Sequence, residues 1–534
     1  MSPLYHVKSQ IKALYARITL NRITTAFFLS SLIYCFAQGV MRSFLFSLDA
    51  NYTSLLGGIT GAAGIPVGNM TFLQGGLGHL HLRMCNDIPH GQTPYPCSDI
   101  FKSSSTVSLN ATFPDSSLRQ TIVRDNLHSG FSVAVVPDPT NSMTIQGIQL
   151  IGGDGTSVIL NLQCTDILLF PQQILGYVRR EDLTFIFLQI WLLIVSVFAI
   201  ANDSVPHILT VMATRLLLSG WSIYAVWRTG LYNGRFQELV NSPNSPCGVN
   251  FFPTYFQIRK GIEIPDLLLN LTALFLSCYL SWRLLRVYSA QSFKCIGAPK
   301  HIVRINRFFL AVLACLQLEA FVLVAAMCLW LDILLHTALE KISEHTPAYK
   351  ALFILTTLFL IPWIMAGWYG IRREMENLMI AFFVMAFLLI FGWSIMFYSL
   401  IYRWTFMEWP FLGCFTVASF ILMSASVILA VICRLNFGNG LAEYIEAEDN
   451  LASSNFSPEV FPHDEETSSP SFDEKIGSDL PLPTYLEVPT LRFGSGSEFI
   501  ASMHDPSTYP SRPRDFEPVR GPPLTSTFRG PFPL

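Results

Sequence analysis

Two ionisable residues stand where hydrocarbon would make them costly. Arg215 and Glu319 each lie near the middle of an apolar run of membrane-spanning length. A charged side chain in such a place must find a partner or a function. Counting along both runs from their inner ends, at about 1.5 Å per residue, puts the two at similar depth. They are therefore expected to pair, with Gln189 and Gln317 in the same polar patch. Such a pair is either a structural lock between helices or the gate, proton or substrate site of a transporter.

Other patterns offer weaker chemistry. Asp332, His336, Glu340 and Glu344 recur every four residues and would form one stripe on a continuous helix. His and carboxylates can bind a metal, but no Cys or second His falls in register, so a solvated helix end is expected. His79 and His81 share a face if that segment is a strand, and a lone pair of this kind usually sits on a surface. The chain has no Gly-x-Ser-x-Gly, no His-Glu-x-x-His and no phosphate loop. No catalytic residue, metal or cofactor is expected.

The elements that carry these residues are membrane-length helices. Of the 534 residues, 51% are hydrophobic and 13% charged, against about 25% charged in a soluble domain. The deficit comes from repeated runs of about 20 apolar residues, the length of a bilayer crossing. We read an α-helical polytopic membrane protein with about eight transmembrane helices. The first is Ile23–Phe46, and seven more lie between Leu183 and Cys433, beginning at Leu183, Ile208, Leu267, Phe308, Ala351, Leu378 and Phe411. All ten Trp fall between Trp191 and Trp409, as expected of residues that prefer the membrane boundary. Met1–Arg22 is basic, so the first run reads as an uncleaved signal anchor, with cleavage after Gly39 as the alternative that would leave seven helices.

Sidedness follows from one loop. Arg283, Arg286, Lys294, Lys300, Arg304 and Arg307 cluster in a region with no acid between Asp266 and Glu319. A short basic loop between two spans is cytoplasmic. Eight spans then put both termini in the cytoplasm and residues 47–182 outside. The basic loops sit beside the membrane, where anionic lipid is the simplest partner, and nothing suggests nucleic-acid binding.

The 47–182 segment is expected to be a small β-containing extracytoplasmic domain. Strand-like runs at 131–136, 143–151 and 157–162 alternate with turn residues, and the glycines of 57–78 read as flexible loop. Sequons at Asn51, Asn69 and Asn110 suit glycosylation there. Six of the eleven Cys lie in apolar runs and Cys295 in the basic loop. Cys85, Cys97, Cys164 and Cys247 all fall outside, which implies two disulfides. Three pairings exist, and Cys85–Cys97 with Cys164–Cys247 is preferred because the first closes a short loop.

Residues 434–534 read as a disordered cytoplasmic tail. From Leu441 on, 16 acids face 6 bases, a net of −10 that leaves +7 for the rest of a chain totalling −3. Pro481-Leu482-Pro483-Thr484-Tyr485 resembles the Leu-Pro-x-Tyr motif bound by WW domains, which implies a ubiquitin ligase as partner.

Four stretches carry a wider resemblance: Tyr279-Leu280-Ser281-Trp282-Arg283-Leu284-Leu285-Arg286, Pro362-Trp363-Ile364-Met365-Ala366-Gly367-Trp368, Tyr402-Arg403-Trp404-Thr405-Phe406 and Cys433-Arg434-Leu435-Asn436-Phe437-Gly438. Residues 267–440 resemble a family of uncharacterised polytopic membrane proteins of mushroom-forming fungi, which implies a fungal protein of the secretory pathway and no activity to carry over. Asn244-Ser245-Pro246-Cys247-Gly248 is similar to a Ser-Pro-Cys-Gly stretch in maturation factors of dual oxidases, too short a likeness to imply a role. The expected function is a sensor, receptor-like or scaffold protein without catalysis, at the plasma membrane or in the secretory pathway. The alternative is a transporter or channel that uses Arg215 and Glu319.

Overall fold

The computed structural model describes residues 12, 14–66, 68–103, 132–137, 145–151, 157–242, 245–247, 249–294, 300–342, 346–440, 442, 443 and 445. Asn110, Cys295, Glu344 and the motif residues Pro481, Pro483 and Tyr485 lie outside this set.

Among the described residues, eight helices are long and apolar enough to cross a membrane. They are α1 (Arg22–Ala62), α2 (Leu162–Ala201), α3 (Val205–Phe236), α4 (Tyr255–Lys294), α5 (Lys300–His336), α6 (Thr346–Arg372), α7 (Glu376–Met396) and α8 (Pro410–Leu435). Between α1 and α2 the chain forms two three-stranded antiparallel sheets, β1-β2-β3 and β4-β5-β6. The first holds β1 (Met70–Gln74), β2 (His81–Cys85) and β3 (Cys97–Lys102). The second holds β4 (Ser132–Pro137), β5 (Ile145–Ile151) and β6 (Ser157–Asn161).

The second sheet falls on the strand-like runs of the sequence. The first falls partly on the segment read as flexible loop. There Gly75 turns the chain between β1 and β2 with φ +91°, and an added Cβ would come within 2.1 Å of the His79 carbonyl oxygen.

The first four helices run well beyond what apolar length alone indicates. The first was expected to stop at Phe46 and continues to Ala62. The second was expected from Leu183 and starts at Leu162. The third runs past Trp227 to Phe236, and the fourth starts at Tyr255 rather than Leu267. Apolar counting stops at Asp49, Asp182 and Asp266, but each of these carboxylates meets an arginine of a neighbouring helix, so the helix passes through it. At 1.5 Å per residue, the 41 residues of α1 extend about 60 Å, roughly twice a hydrocarbon core. The surplus of α1 and α2 carries the sheets. Asn51 accordingly sits on the exposed side of α1 rather than in a loop, and Asn69 is half-buried just before β1.

The two ends of the bundle are distinct. At the sheet end, the Gly78 amide donates to Glu238 at 2.9 Å, and the rings of Phe72 and Trp404 lie 4.8 Å apart. Two disulfides close this end. Cys85–Cys97 joins facing residues of β2 and β3, and Cys164–Cys247 ties the start of α2 to the connection between α3 and α4. At the other end, Arg17 reaches the Ala201 carbonyl and pairs with Asp203, while Glu374 accepts from the amides of Gly438 and Ala442. This end also holds the start of α5, where Ile302 approaches Gly440.

One apolar core lies under the sheets, where Tyr52, Leu82, Ile148, Phe236 and Tyr255 meet. Another fills α5 to α8, around Leu316, Trp363, Phe382 and Met423. In that core Trp363 stacks on Phe382 at 5.3 Å, and α6 approaches through Gly367.

Candidate functional site

A chain of buried polar side chains runs through α1 to α4. Its positions on α1, Gln38, Arg42, Asp49 and Tyr52, share one face at helical spacing, in line with buried Leu45 and Leu56. That face packs along α2. At the sheet end, Arg259 of α4 donates to both carboxylate oxygens of Asp49, at 2.6 and 2.7 Å, and to Glu263 at 2.7 Å. Tyr255 donates to Asp49 at 2.7 Å and Thr229 to Glu263 at 3.0 Å. One step deeper, Arg42 bridges Asp182 of α2 at 3.0 Å and Asp266 of α4 at 2.6 Å. Deeper still, Asn270 donates to Asp266 and Ser222, and accepts from Gln38 at 2.9 Å. Gln38 in turn accepts from Arg215 at 2.8 Å. Arg259 also lies 3.7 Å from Asp182, an ion-pair contact that links the two sets from Asp49 to Arg215.

A separate lock lies beside it. Arg228 of α3 grips Glu181 of α2 through two parallel hydrogen bonds of 2.7 and 2.6 Å, the strongest geometry available to this pair. Trp409, just before α8, donates to the same carboxylate at 2.8 Å.

The expected Arg215–Glu319 pair does not form. Arg215 donates to Gln38 and to Gln189, at 2.8 and 3.2 Å, and lies 5.8 Å from the Tyr34 ring centroid. Glu319 accepts from Ser419 of α8. Equal depth says nothing about which way a side chain points around its helix, and these two turn into different halves of the bundle. Gln317 likewise joins Thr210 and His207 rather than Arg215. Sequence reasoning missed Gln38, Arg42, Asp49 and Arg259 as a connected set, and Glu181 with Arg228 as the lock beside it. The available signal was the recurrence of charge on all four helices at the ends nearest the predicted ectodomain.

Together the chain and the lock hold five carboxylates (Asp49, Glu181, Asp182, Glu263, Asp266) and four guanidinium groups (Arg42, Arg215, Arg228, Arg259), of which Arg215 is held by amides. All nine residues are buried. Unmatched charge at such depth is costly, so every member depends on its partners. The arrangement is closed. A void of about 10 Å³ beside Arg228, Tyr255 and Arg259 has room for about one water.

A larger cavity of about 360 Å³ opens at the sheet end, between α1, β1, α2 and the short helix Leu400–Glu408. Thr60 donates to Gln172 at 2.7 Å, and Thr71 donates to Gln173 through its amide and hydroxyl, which fixes two of its amide side chains. Arg179, Arg180, which pairs with Asp332, and Glu408 supply its charge. Burial pushes the Glu408 carboxyl up to about 7, with Arg235 acting against the rise.

The weaker candidates resolve into ordinary contacts. His81 pairs with Asp99 at 2.9 Å. The Asp332–His336 contact of 3.0 Å closes α5, whose end at His336 breaks the four-residue stripe. Among the described residues, no three His, Cys, Asp or Glu groups are placed to hold a metal.

No known protein family, curated protein or solved structure matches the chain.

Proposed function

We propose that this is a multi-pass membrane protein of the cell surface or secretory pathway, acting as a receptor-like sensor or scaffold without catalysis. The sheet end faces outward, with glycans on Asn51, Asn69 and Asn110. The basic end and both termini face the cytoplasm, where the tail presents the Pro481–Tyr485 motif to a WW-domain ligase. The observation that carries this reading is the ion network. Its outer part lies next to the sheets, where Tyr255, which donates to Asp49, also joins the apolar core under them. The sheet-end cavity is the place for an extracytoplasmic ligand.

The transporter reading needs a path through the polar residues, and none of the cavities above opens on Arg215, Glu319, Asp182 or Asp266. The test is reconstitution of the full chain in proteoliposomes with internal pH and volume reporters. No gradient-driven flux is expected. A flux abolished by Arg215→Gln or Glu319→Gln would replace the sensor by a transporter.

A further inference from the structure

We propose that the sheet-end cavity holds a small zwitterion, an amino acid or short peptide, with its carboxylate at Arg179 and its ammonium at Glu408. This rests on the reading of that cavity as an outward-facing ligand site. Of the charged groups that line the space of about 360 Å³, Arg180 is taken by Asp332, and His336 contacts the same carboxylate. Arg179 of α2 and Glu408, at the end of the short helix Leu400–Glu408, are not taken. Neither makes a hydrogen bond or an ion pair among the described residues, with each other or with a third group. Arg235 of α3 acts on Glu408 from a distance, without pairing. Two opposite charges thus line one cavity and leave a gap between them.

The polar lining adds donors. The side-chain carbonyls of Gln172 and Gln173 are held by Thr60 and Thr71. Their amide nitrogens have no partner among the described residues, so what each still offers the cavity is N–H. Amide donors beside a guanidinium suit carboxylate and peptide oxygens. Leu169, Phe170 and Trp404 give the body of the molecule an apolar side. On the α1 wall, Gly57 and Gly61 leave room.

Other occupants match less of this. A free anion would leave Glu408 without a counter-charge, a cation would leave Arg179, and a neutral sugar would leave both. The volume is near the lower end of the range for small-molecule sites, about 300–1,000 Å³, which suits a small molecule rather than a folded partner.

The test is equilibrium dialysis of the full chain in nanodiscs against radiolabelled standard amino acids and dipeptides. Saturable binding of at least one is expected, at one molecule per chain. Its C-terminal amide, which lacks the carboxylate, and its N-acetyl form, which lacks the ammonium, should each bind about tenfold more weakly or worse. Arg179→Gln should weaken the zwitterion by a similar factor and leave the amide unaffected. Glu408→Gln should do so and leave the N-acetyl form unaffected, a pattern that general loss of structure would not give. Gly61→Leu should abolish binding by filling the space, since a Cβ there meets nothing within 4 Å.

No saturable binding across the set would overturn the proposal, as would equal affinity for the zwitterion and its singly charged forms. Sealed proteoliposomes separate this from the reading beneath it. Binding is expected from the side opposite a C-terminal tag. Binding only from the tag side would overturn the outward placement and leave the site standing. Accumulation beyond one molecule per chain would likewise keep the site but replace the sensor by a transporter.

Discussion

Helices α1–α4 bury nine charged-type side chains against one another, whereas α5–α8 bury one among the described residues, Glu319. The first half is joined by arginine–carboxylate contacts. The second is joined by rings and close backbone approach, as at Trp363, Phe382 and Gly367. The difference follows from what each half supports. The sheets hang from α1 and α2, whose surplus length takes them beyond any hydrocarbon layer, and there polar pairs can fix orientation that lipid packing cannot. The second half has short connections, and shape alone sets its helices. A directional lock tolerates loss of a partner poorly. A shape-based contact tolerates loss of a charge and resists added volume.

This contrast can be broken in four places. The largest effect is expected at Arg259, which serves Asp49 and Glu263 and lies 3.7 Å from Asp182. Arg259→Met strands buried carboxylates and should cost about 3–5 kcal/mol, read as loss of folded, monodisperse protein on size exclusion. Next is Gly367→Ala, whose added methyl would lie 2.9 Å from both Leu316 and Phe382. Overpacking of this kind costs about 1–3 kcal/mol, seen as a lower Tm with the disulfide region unchanged in proteolysis.

Glu319→Gln should shift stability by less than about 1 kcal/mol, because one oxygen of that carboxylate already lacks a partner and an amide can keep the Ser419 contact. A large loss there would put the two halves on the same footing. The fourth place is a pH dependence at the sheet end. Glu408 is held at about 7 against an ordinary value of 4.5. Its protonated form is favoured by folding, so its contribution is fully present below 4.5 and is lost as pH rises through about 7. Glu408→Gln should flatten that part of the Tm–pH curve, and an unchanged curve would remove Glu408 as its source.

Much of the architecture was legible from the chain. Apolar length locates the eight helices, and β-branched runs between turn residues locate the second sheet. Compartment and spacing select the two cysteine pairs that the structure joins, Cys85–Cys97 and Cys164–Cys247. The helix ends were not legible, because Asp49, Asp182 and Asp266 look like terminators until their arginines are known. Arg215 was recognisable as buried, but its partner was not. Depth is linear in sequence, while azimuth depends on packing, and Gln38 is an uncharged residue with nothing to mark it.

The central claim is that arginine–carboxylate pairs, rather than apolar contact, hold α1–α4 together. The direct measurement is a double-mutant cycle at Glu181 and Arg228, followed by unfolding of the reconstituted chain. Glu181→Leu and Arg228→Met should each destabilise strongly, since each leaves one buried charge unmatched. The double variant should recover much of that loss, giving a coupling of about 2 kcal/mol or more. Additive losses with no recovery, or two single variants as stable as the wild type, would contradict the account.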